Sequence, residues 1–415
     1  MDSLNYNYYK GTNQLSNVRD AVAAINYSAD IDDEPSKYNY KYNSIGELVK
    51  DSAGGIASID WTIYGKVQDI VFNQVNSTDR SIIFVYDPLG NRIEKIVKTQ
   101  RVCYLCLFPP VYDTTKYVRD AQGNILAIYH KKNDTMHLIE WDIYGSKRIG
   151  VVDTNLLVYE PVPPCPLCPI VSNPLDSATI QYLEGQKQYE LTNHLGNVLV
   201  TVSDKVTPID TMVSPPNIAN YYEPVIVNAQ DYYPFGMVEP GRNYQLVYDS
   251  TYRFGYQGSM KVNDIYGNAN AYTTKNRELD DRLARWWSPD PMVNPSESPY
   301  VTMGDNPIWY NDILGDKFTN GYESDEKNKK SKLDNAKSKK DGLDASVAGL
   351  RGRAKRDLTK EQRQALNSAK IADKEYNKAE RKFEKTDAKY QCVQAILQKV
   401  QSTNPKLFSE VDNIR

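Results

Sequence analysis

A mainly β body followed by an α-helical tail is the fold class that this sequence predicts, and three observations predict it. Tyrosine dominates the aromatics: 32 Tyr stand against 8 Phe and 5 Trp in 415 residues, with 22 Gly and 22 Pro beside them. A strand–turn–strand unit recurs along the first three quarters of the chain. After Phe318 the pattern changes to charged stretches with apolar residues spaced alternately four and three apart. Tyr offers a large apolar body with a polar tip, which suits half-buried sheet surfaces. Gly and Pro at this level fit many short strands joined by turns. The mean hydropathy is −0.61. No run approaches the length of a bilayer span, so a soluble chain is expected.

The length predicts two or three units. The N-terminal MDSLNYNYYKGTNQLS has neither a basic n-region nor an apolar h-region, so no secretory signal is read there. It reads instead as the interior of a repeat, as though the chain began within something larger.

The recurring unit places an aromatic and polar residues before x-x-Gly-Asn, Lys or Ser and an aliphatic pair. It appears in 40-YKYNSIGELVKD-51, 84-FVYDPLGNRIEK-95, 117-YVRDAQGNILAIY-129 and 189-YELTNHLGNVLVTV-202. Shorter forms are 141-WDIYGSKRIG-150, 231-DYYPFGM-237 and 264-DIYGNANAY-272. Alternating Tyr, Val and Ile predict strands, and Asp-x-x-Gly-Asn predicts a tight turn with its Gly at positive φ. Each unit is therefore a β-hairpin. Gly46, Gly65, Gly90, Gly123, Gly145, Gly196 and Gly236 mark the turns at irregular intervals, so longer loops interrupt the array. Stacked hairpins bury a face that none could bury alone.

These units resemble the tyrosine-aspartate (YD) repeats of the Rhs family. Residues 231–316 resemble its repeat-associated core in the form common among Bacteroidetes-type members. The core motifs 277-RELDDRLARWWSPDP-291, 298-SPYVTMGDNPIW-309 and 312-DILG-315 occur here in order. The resemblance covers about three quarters of the chain. It implies three regions: a YD-repeat β-shell fragment at 1–230, the core plug at 231–316, and a basic helical tail at 317–415 near or within an effector region. In that family the repeats spiral into a hollow shell around a C-terminal toxin, and the core plugs one end. The body is short for a complete shell, which implies a fragment or a split gene.

The family's shells can cut themselves just after the core by an aspartyl-protease-like reaction. Its motif matches Arg277, Asp290 in an Asp-Pro pair, Asn306-Pro307, and Asp312 with Gly315 in the closing segment. Ile313 stands where Pro is usual, and Asp316 where Leu or Met would precede the cut. Two close carboxylates in a dry site share a proton, because both cannot ionise cheaply, and an arginine beside them holds one ionised. On that reading Asp290 and Asp312 form the pair and Arg277 positions them. The structural reading of the same residues is Asp-Pro turns, a buried Arg–Asp pair, and Trp286 and Trp287 as plug aromatics. Asp280 and Asp281 are expected in an exposed turn before Arg282.

Cys103, Cys106, Cys165 and Cys168 form two Cys-x-x-Cys pairs beside prolines, a spacing that presents two thiolates to one zinc ion. Local disulfides or free thiols remain open for the same residues. No other cofactor is expected. His130, His137 and His194 show no triad spacing and read as ordinary strand or turn residues. Neither a P-loop nor a Rossmann glycine fingerprint occurs.

Residues 317–415 hold 24 Lys+Arg and 15 Asp+Glu, a net of +9, while residues 1–316 hold 26 and 38, a net of −12. The tail lacks base-stacking aromatics and glycine loops, so nucleic-acid binding is not expected. From Leu358 a seam runs through Gln362, Ala365, Ala369, Ala372, Tyr376, Ala379 and Phe383 toward Val400, with the coiled-coil period. Thr359 and Gln362 read as a capping box. Segment 324–350 is also helix-like, predicting an antiparallel hairpin turning near Gly349 and Gly352. Cys392 lies beside the seam as a packed thiol. Residues 401–415 read as the start of a further linker.

The resemblance implies a secreted or surface-exposed shell protein that encloses and presents a C-terminal toxin in interbacterial competition. Its partners would be its own effector domain or an upstream YD-repeat shell, and an immunity protein. A reading from another class is a non-enzymatic adhesion protein whose repeats bind carbohydrate or a partner cell.

Overall fold

The structure, a computed structural model, describes residues 4–22, 31–101, 108–159, 184–209, 219–246, 252–267, 270–292, 294–353 and 358–403. The chain divides into two compact units. The first comprises Met1–Ile308 with Asp312–Phe318, and the second comprises Trp309–Asn311 with the chain from Thr319 onward.

The first unit opens with a hairpin of β1 (Leu4–Tyr8) and β2 (Leu15–Asp20). Among the described residues, fourteen strands then form one antiparallel sheet in which each strand pairs with its neighbours in sequence. These are β3 (Tyr40–Tyr42), β4 (Leu48–Asp51), β5 (Ile56–Trp61), β6 (Val67–Phe72) and β7 (Thr78–Tyr86). Next come β8 (Arg92–Arg101), β9 (Val111–Arg119), β10 (Ile125–Lys132), β11 (Thr135–Tyr144) and β12 (Arg148–Tyr159). The series ends with β13 (Lys187–Thr192), β14 (Val198–Ile209), β15 (Tyr221–Tyr232) and β16 (Val238–Gln245). The mainly β body is therefore a meander without crossovers.

The turns follow from local chemistry. At 87–91 the Gly90 N–H bonds to the Asp87 carbonyl (3.0 Å), and the Asp87 N–H bonds to the Asn91 carbonyl (2.9 Å). The Asp87 Oδ1 accepts from the N–H groups of Leu89 and Asn91 at 2.9 and 2.8 Å. Gly90 has φ 77°, the left-handed value that closes a three-residue loop with a bulge. Asp120, Asn193 and Asn43 cap their turns in the same way through Oδ1. At 233–236 no such cap forms, and Pro234 at the second position presets φ instead.

Two units depart from the expected hairpin turn. Gly145 is not at positive φ, and its N–H bonds to the Lys147 carbonyl. The carboxylate that should cap this turn, Asp142, is drawn away: it accepts the Tyr144 hydroxyl and leaves Oδ1 unpartnered among the described residues. Segment 264–272 is not strand–turn–strand either. It opens as a helical turn, α1 (Asn263–Tyr266), because Asp264 pairs with Lys95 and Arg80 instead of capping its own turn.

The segment from Tyr252 to Phe318 packs against one face of the meander. It carries a small sheet of β17 (Met260–Lys261), β18 (Tyr272–Thr273), β19 (Glu278–Asp280) and β20 (Arg285–Trp286). Val262, Ile265, Ala271, Leu283 and Trp287 join Ile56, Ile59, Val67, Ile70, Ile82 and Phe84 in one apolar cluster. Tyr252, Phe254 and Met260 join Tyr117, Ile125, Ile128, Val151 and Val198 in a second. Polar ties at the turns complete the fit. Tyr300 donates to the Gly46 carbonyl (2.7 Å), and the Gln257 N–H donates to Asn197 Oδ1 (2.9 Å).

The second unit pairs β21 (Tyr310–Asn311) with β22 (Thr319–Asn320), followed by α2 (Gly321–Val347) and α3 (Lys360–Thr403). Lys339 pairs with Glu375 and Lys340 with Asp373, so the two helices run antiparallel. The capping box is present: the Thr359 N–H reaches Gln362 Oε1 (3.0 Å), and the Gln362 N–H reaches Thr359 Oγ1 (3.3 Å). Leu358, Ala369 and Ala372 are buried, and the seam positions Gln362, Ala365, Tyr376, Ala379 and Phe383 are half-buried. The side chain of Cys392 lies outside the described residues. Among the described residues, no helix is long and apolar enough to cross a membrane.

The turn chemistry predicts a graded series. A Cβ at Gly90 meets Lys66 at an ordinary 3.5 Å, so Gly90→Ala costs about 1–2 kcal/mol from positive φ alone. Gly236→Ala costs more, because its Cβ falls 2.7 Å from the Tyr256 ring. Gly145→Ala, at ordinary φ, leaves stability nearly unchanged. Denaturant midpoints of the three variants test the order.

Candidate functional site

The site is built around Arg277, which a tight turn delivers to the head of β19. The Thr274 N–H and Oγ1 both donate to the Arg277 carbonyl, at 3.0 and 2.8 Å. The Arg277 side chain is only 2% exposed, and its guanidinium lies 4.4 Å from the Trp286 ring centre.

That guanidinium gathers the three expected elements. Nη2 donates to Asp290 Oδ2 at 2.8 Å and to Asp312 Oδ2 at 3.1 Å. Nε donates to the Gly315 carbonyl at 2.6 Å. Asp290 is set by its own turn: its Oδ1 accepts the Met292 N–H (2.7 Å), and its N–H bonds to the Pro299 carbonyl (2.8 Å). Its side chain is 21% exposed, the wettest of the three.

Asp312 is 2% exposed and more heavily engaged. Its Oδ1 accepts the N–H groups of Gly315, Asp316 and Lys317 at 2.8, 3.0 and 3.3 Å. Its own N–H donates to the Gln257 Oε1 at 2.8 Å. The Gly315–Asp316 peptide is therefore held at both ends, its carbonyl on Arg277 and its N–H on Asp312. Only glycine fits at 315: φ is 72°, and a Cβ would fall 2.2 Å from Thr274 Oγ1.

Burial pushes the Asp312 carboxyl above its usual range, while Arg277 and the backbone N–H groups pull it back. Burial also lowers Arg277, with Asp290 and Asp312 opposing. The arrangement sets a buried carboxyl group, a wetter one and a cation around one peptide group. That is the equipment for proton transfer at an amide, and equally for clamping a chain.

Asn306-Pro307 does not join this group. The Asn306 N–H closes a turn onto the Met303 carbonyl, and no hydrogen bond links it to Arg277, Asp290 or Asp312. Asp280 and Asp281 correct the expectation of an exposed turn, being 1% and 3% exposed. Asp280 takes Arg282 through both oxygens, at 3.1 and 2.7 Å. Arg282 lies 3.7 Å from Asp51, which accepts the Tyr266 hydroxyl at 2.6 Å. Neither oxygen of Asp281 has a partner among the described residues, and burial, with Asp280 beside it, pushes this carboxyl well above the usual range.

Sequence reasoning missed Gln257, whose side chain meets the Asp312 backbone, and the buried Arg92–Glu278 pair at 2.7 Å. Gln257 stands at φ 53° between two glycines in 255-GYQG-258, and that flanking was the one available signal. His130 pairs with Asp113 and lies opposite His137 across β10 and β11, and His194 sits in the Asn193–Gly196 turn. The zinc reading on Cys103, Cys106, Cys165 and Cys168 falls outside the described residues. Among the described residues, no cluster of His, Cys, Asp and Glu is arranged to hold a metal.

In comparisons with known proteins, no family model and no curated protein sequence matches the chain.

Two outcomes follow. Arg277→Met leaves two carboxylates buried without their cation and costs about 3–5 kcal/mol, read as a lower unfolding midpoint. For Asp281 the folded pKa is raised, so the folded state holds more protons than the unfolded one above the unfolded value, and stability falls as pH rises through that window. Asp281→Asn removes this loss. It is expected to stabilise the protein at pH 8 and hardly at all near pH 4, by denaturant titration at both.

Proposed function

We propose that this chain is part of an Rhs-type containment shell, and that the Arg277 site cuts the chain as it leaves the core. On this reading the meander of hairpins is shell wall, residues 231–316 are the plug, and the helical tail leads toward an enclosed effector. The ordered core motifs support the family reading. The observation that carries the activity is the single guanidinium that gathers Asp290, Asp312 and the Gly315 carbonyl.

The chemistry assigns one role to each residue. Asp290, the wetter carboxylate, takes a proton from a water whose oxygen adds to the Gly315 carbonyl carbon. The electron pair pushed onto the carbonyl oxygen is stabilised by Arg277 Nε. When the C–N bond breaks, the Asp316 nitrogen takes the proton that Asp290 removed from the water, while Asp312 Oδ1 holds the Asp316 N–H at 3.0 Å. The products are a carboxyl terminus at Gly315 and an amine at Asp316. The family pattern would put the cut one residue later, after Asp316. The clamp favours Gly315–Asp316, because both ends of that bond are held. Ile313, in place of Pro, has an exposed side chain.

Secretion or surface display, an enclosed toxin and an immunity partner belong to the same proposal. The adhesion reading shares the β-hairpins and lacks the cleavage, so cleavage separates the two. The test is expression of the full chain with Asp290→Asn beside it, followed by a denaturing gel and intact mass measurement. Wild type is expected to give two fragments, the first ending at Gly315, while the variant stays whole. Wild type that remains whole removes the self-cleavage claim.

A further inference from the structure

We propose that a cavity beside the Arg277 site binds a small molecule carrying oxyanion groups, either phosphates or clustered carboxylates. The cavity lies between the glycine turns of the meander and the core strands, and its volume is about 270 Å³. Lys66, Arg92, Arg119, Arg148, Lys275 and Arg277 line it, against Glu278 as the one acidic side chain on its wall. Asp290 and Asp312 are not part of that wall.

Some of this charge is answered. Arg92 donates to Glu278, Arg148 to Glu190 at 2.8 Å, and Arg277 to its two aspartates. The rest is not. Lys66 donates to the Lys275 carbonyl and to Asn276 Oδ1 at 3.4 Å, and among the described residues it makes no ion pair. Arg119 spends Nε and Nη1 on the carbonyls of Arg92 and Gly123, at 2.8 and 2.7 Å, and has no carboxylate partner. Arg92 supplies a second, independent observation. Its side chain is 5% exposed, yet Nε and Nη1 have no hydrogen-bond partner among the described residues.

Unanswered cations crowded under partial burial repel one another more strongly than they would in water. Burial lowers both Lys66 and Arg119; around Lys66, Glu278 and Asp316 oppose that while Lys275 and Arg92 push it down further. An oxyanion accepts several charged N–H donors at once and relieves that repulsion. Trp61, Tyr86 and Phe254 supply an apolar wall, so the site fits a small organic body bearing the anion. A bare surface patch would offer charge without enclosure.

The test is calorimetric titration of the protein as expressed, since every residue of the wall precedes Gly315, at low ionic strength with two probes, inorganic pyrophosphate and citrate. One-site binding of either supports the proposal, and the probe that binds tells phosphate from carboxylate recognition. The Lys66→Ala, Arg119→Ala double variant should weaken binding at least tenfold. The exposed Lys275→Glu should weaken it likewise, which keeps the test decisive if the double variant fails to fold. Lys41→Glu makes the same charge change on an exposed residue outside the cavity and should leave affinity within about twofold of wild type. Absence of binding by both probes overturns the proposal, and so does an equal loss in Lys41→Glu and Lys275→Glu.

Discussion

Charge buried between the core segment and the sheet is the constraint on which the rest of the first unit depends. A guanidinium or carboxylate taken out of water must be matched by its opposite and by hydrogen bonds, or its cost is severe. Arg92 with Glu278, Arg282 with Asp280 and Asp51, Arg148 with Glu190, and Arg277 with Asp290 and Asp312 meet that demand in different ways. The first two tie the segment from Tyr252 to Phe318 to the meander, and Arg148, paired within the meander, reaches that segment through the Gly258 carbonyl. Arg277 works within that segment and holds the Gly315 carbonyl and Asp312. Apolar packing around Trp287 and Phe254 brings the two surfaces together. The ion pairs set one register for the contact, since a shifted core would strand several charges at once.

Which turns form depends on where the leading carboxylate or amide spends its oxygens. Where the leading Asp or Asn can spend its side-chain oxygen on its own backbone, as Asp87 and Asp120 do, the bulged turn with a left-handed glycine results. Asp142 and Asp264 carry similar local sequence and are drawn elsewhere, and their turns differ. Local chemistry proposes a turn, and another partner for its leading carboxylate accompanies a different one.

This explains what could be read from sequence and what could not. The hairpins were legible because Asp-x-x-Gly-Asn contains every atom of its turn. The helical seam and the Thr359–Gln362 box were legible for the same reason, their partners lying within one turn of helix. Arg277, Asp290 and Asp312 lie far enough apart that no periodicity joins them, and only the motif order singled them out. Asp280 and Asp281 looked like a solvated turn because four charged residues stand in five positions of 278-ELDDR-282. Their burial depends on Asp51 and Tyr266, which local pattern does not connect to them. Gln257 escaped notice because a lone Gln between glycines carries no chemical signature until Asp312 lies against it.

The most direct test of this account is a double-mutant cycle on Arg277 and Asp312, using Arg277→Met, Asp312→Ala and the pair, with unfolding free energies from denaturant titration. If Arg277 organises the exit from the core through Asp312, the two changes are strongly non-additive, with a coupling energy above about 1 kcal/mol. Additivity within about 0.3 kcal/mol would mean that the two side chains act independently, and it would contradict the central role given to this pair.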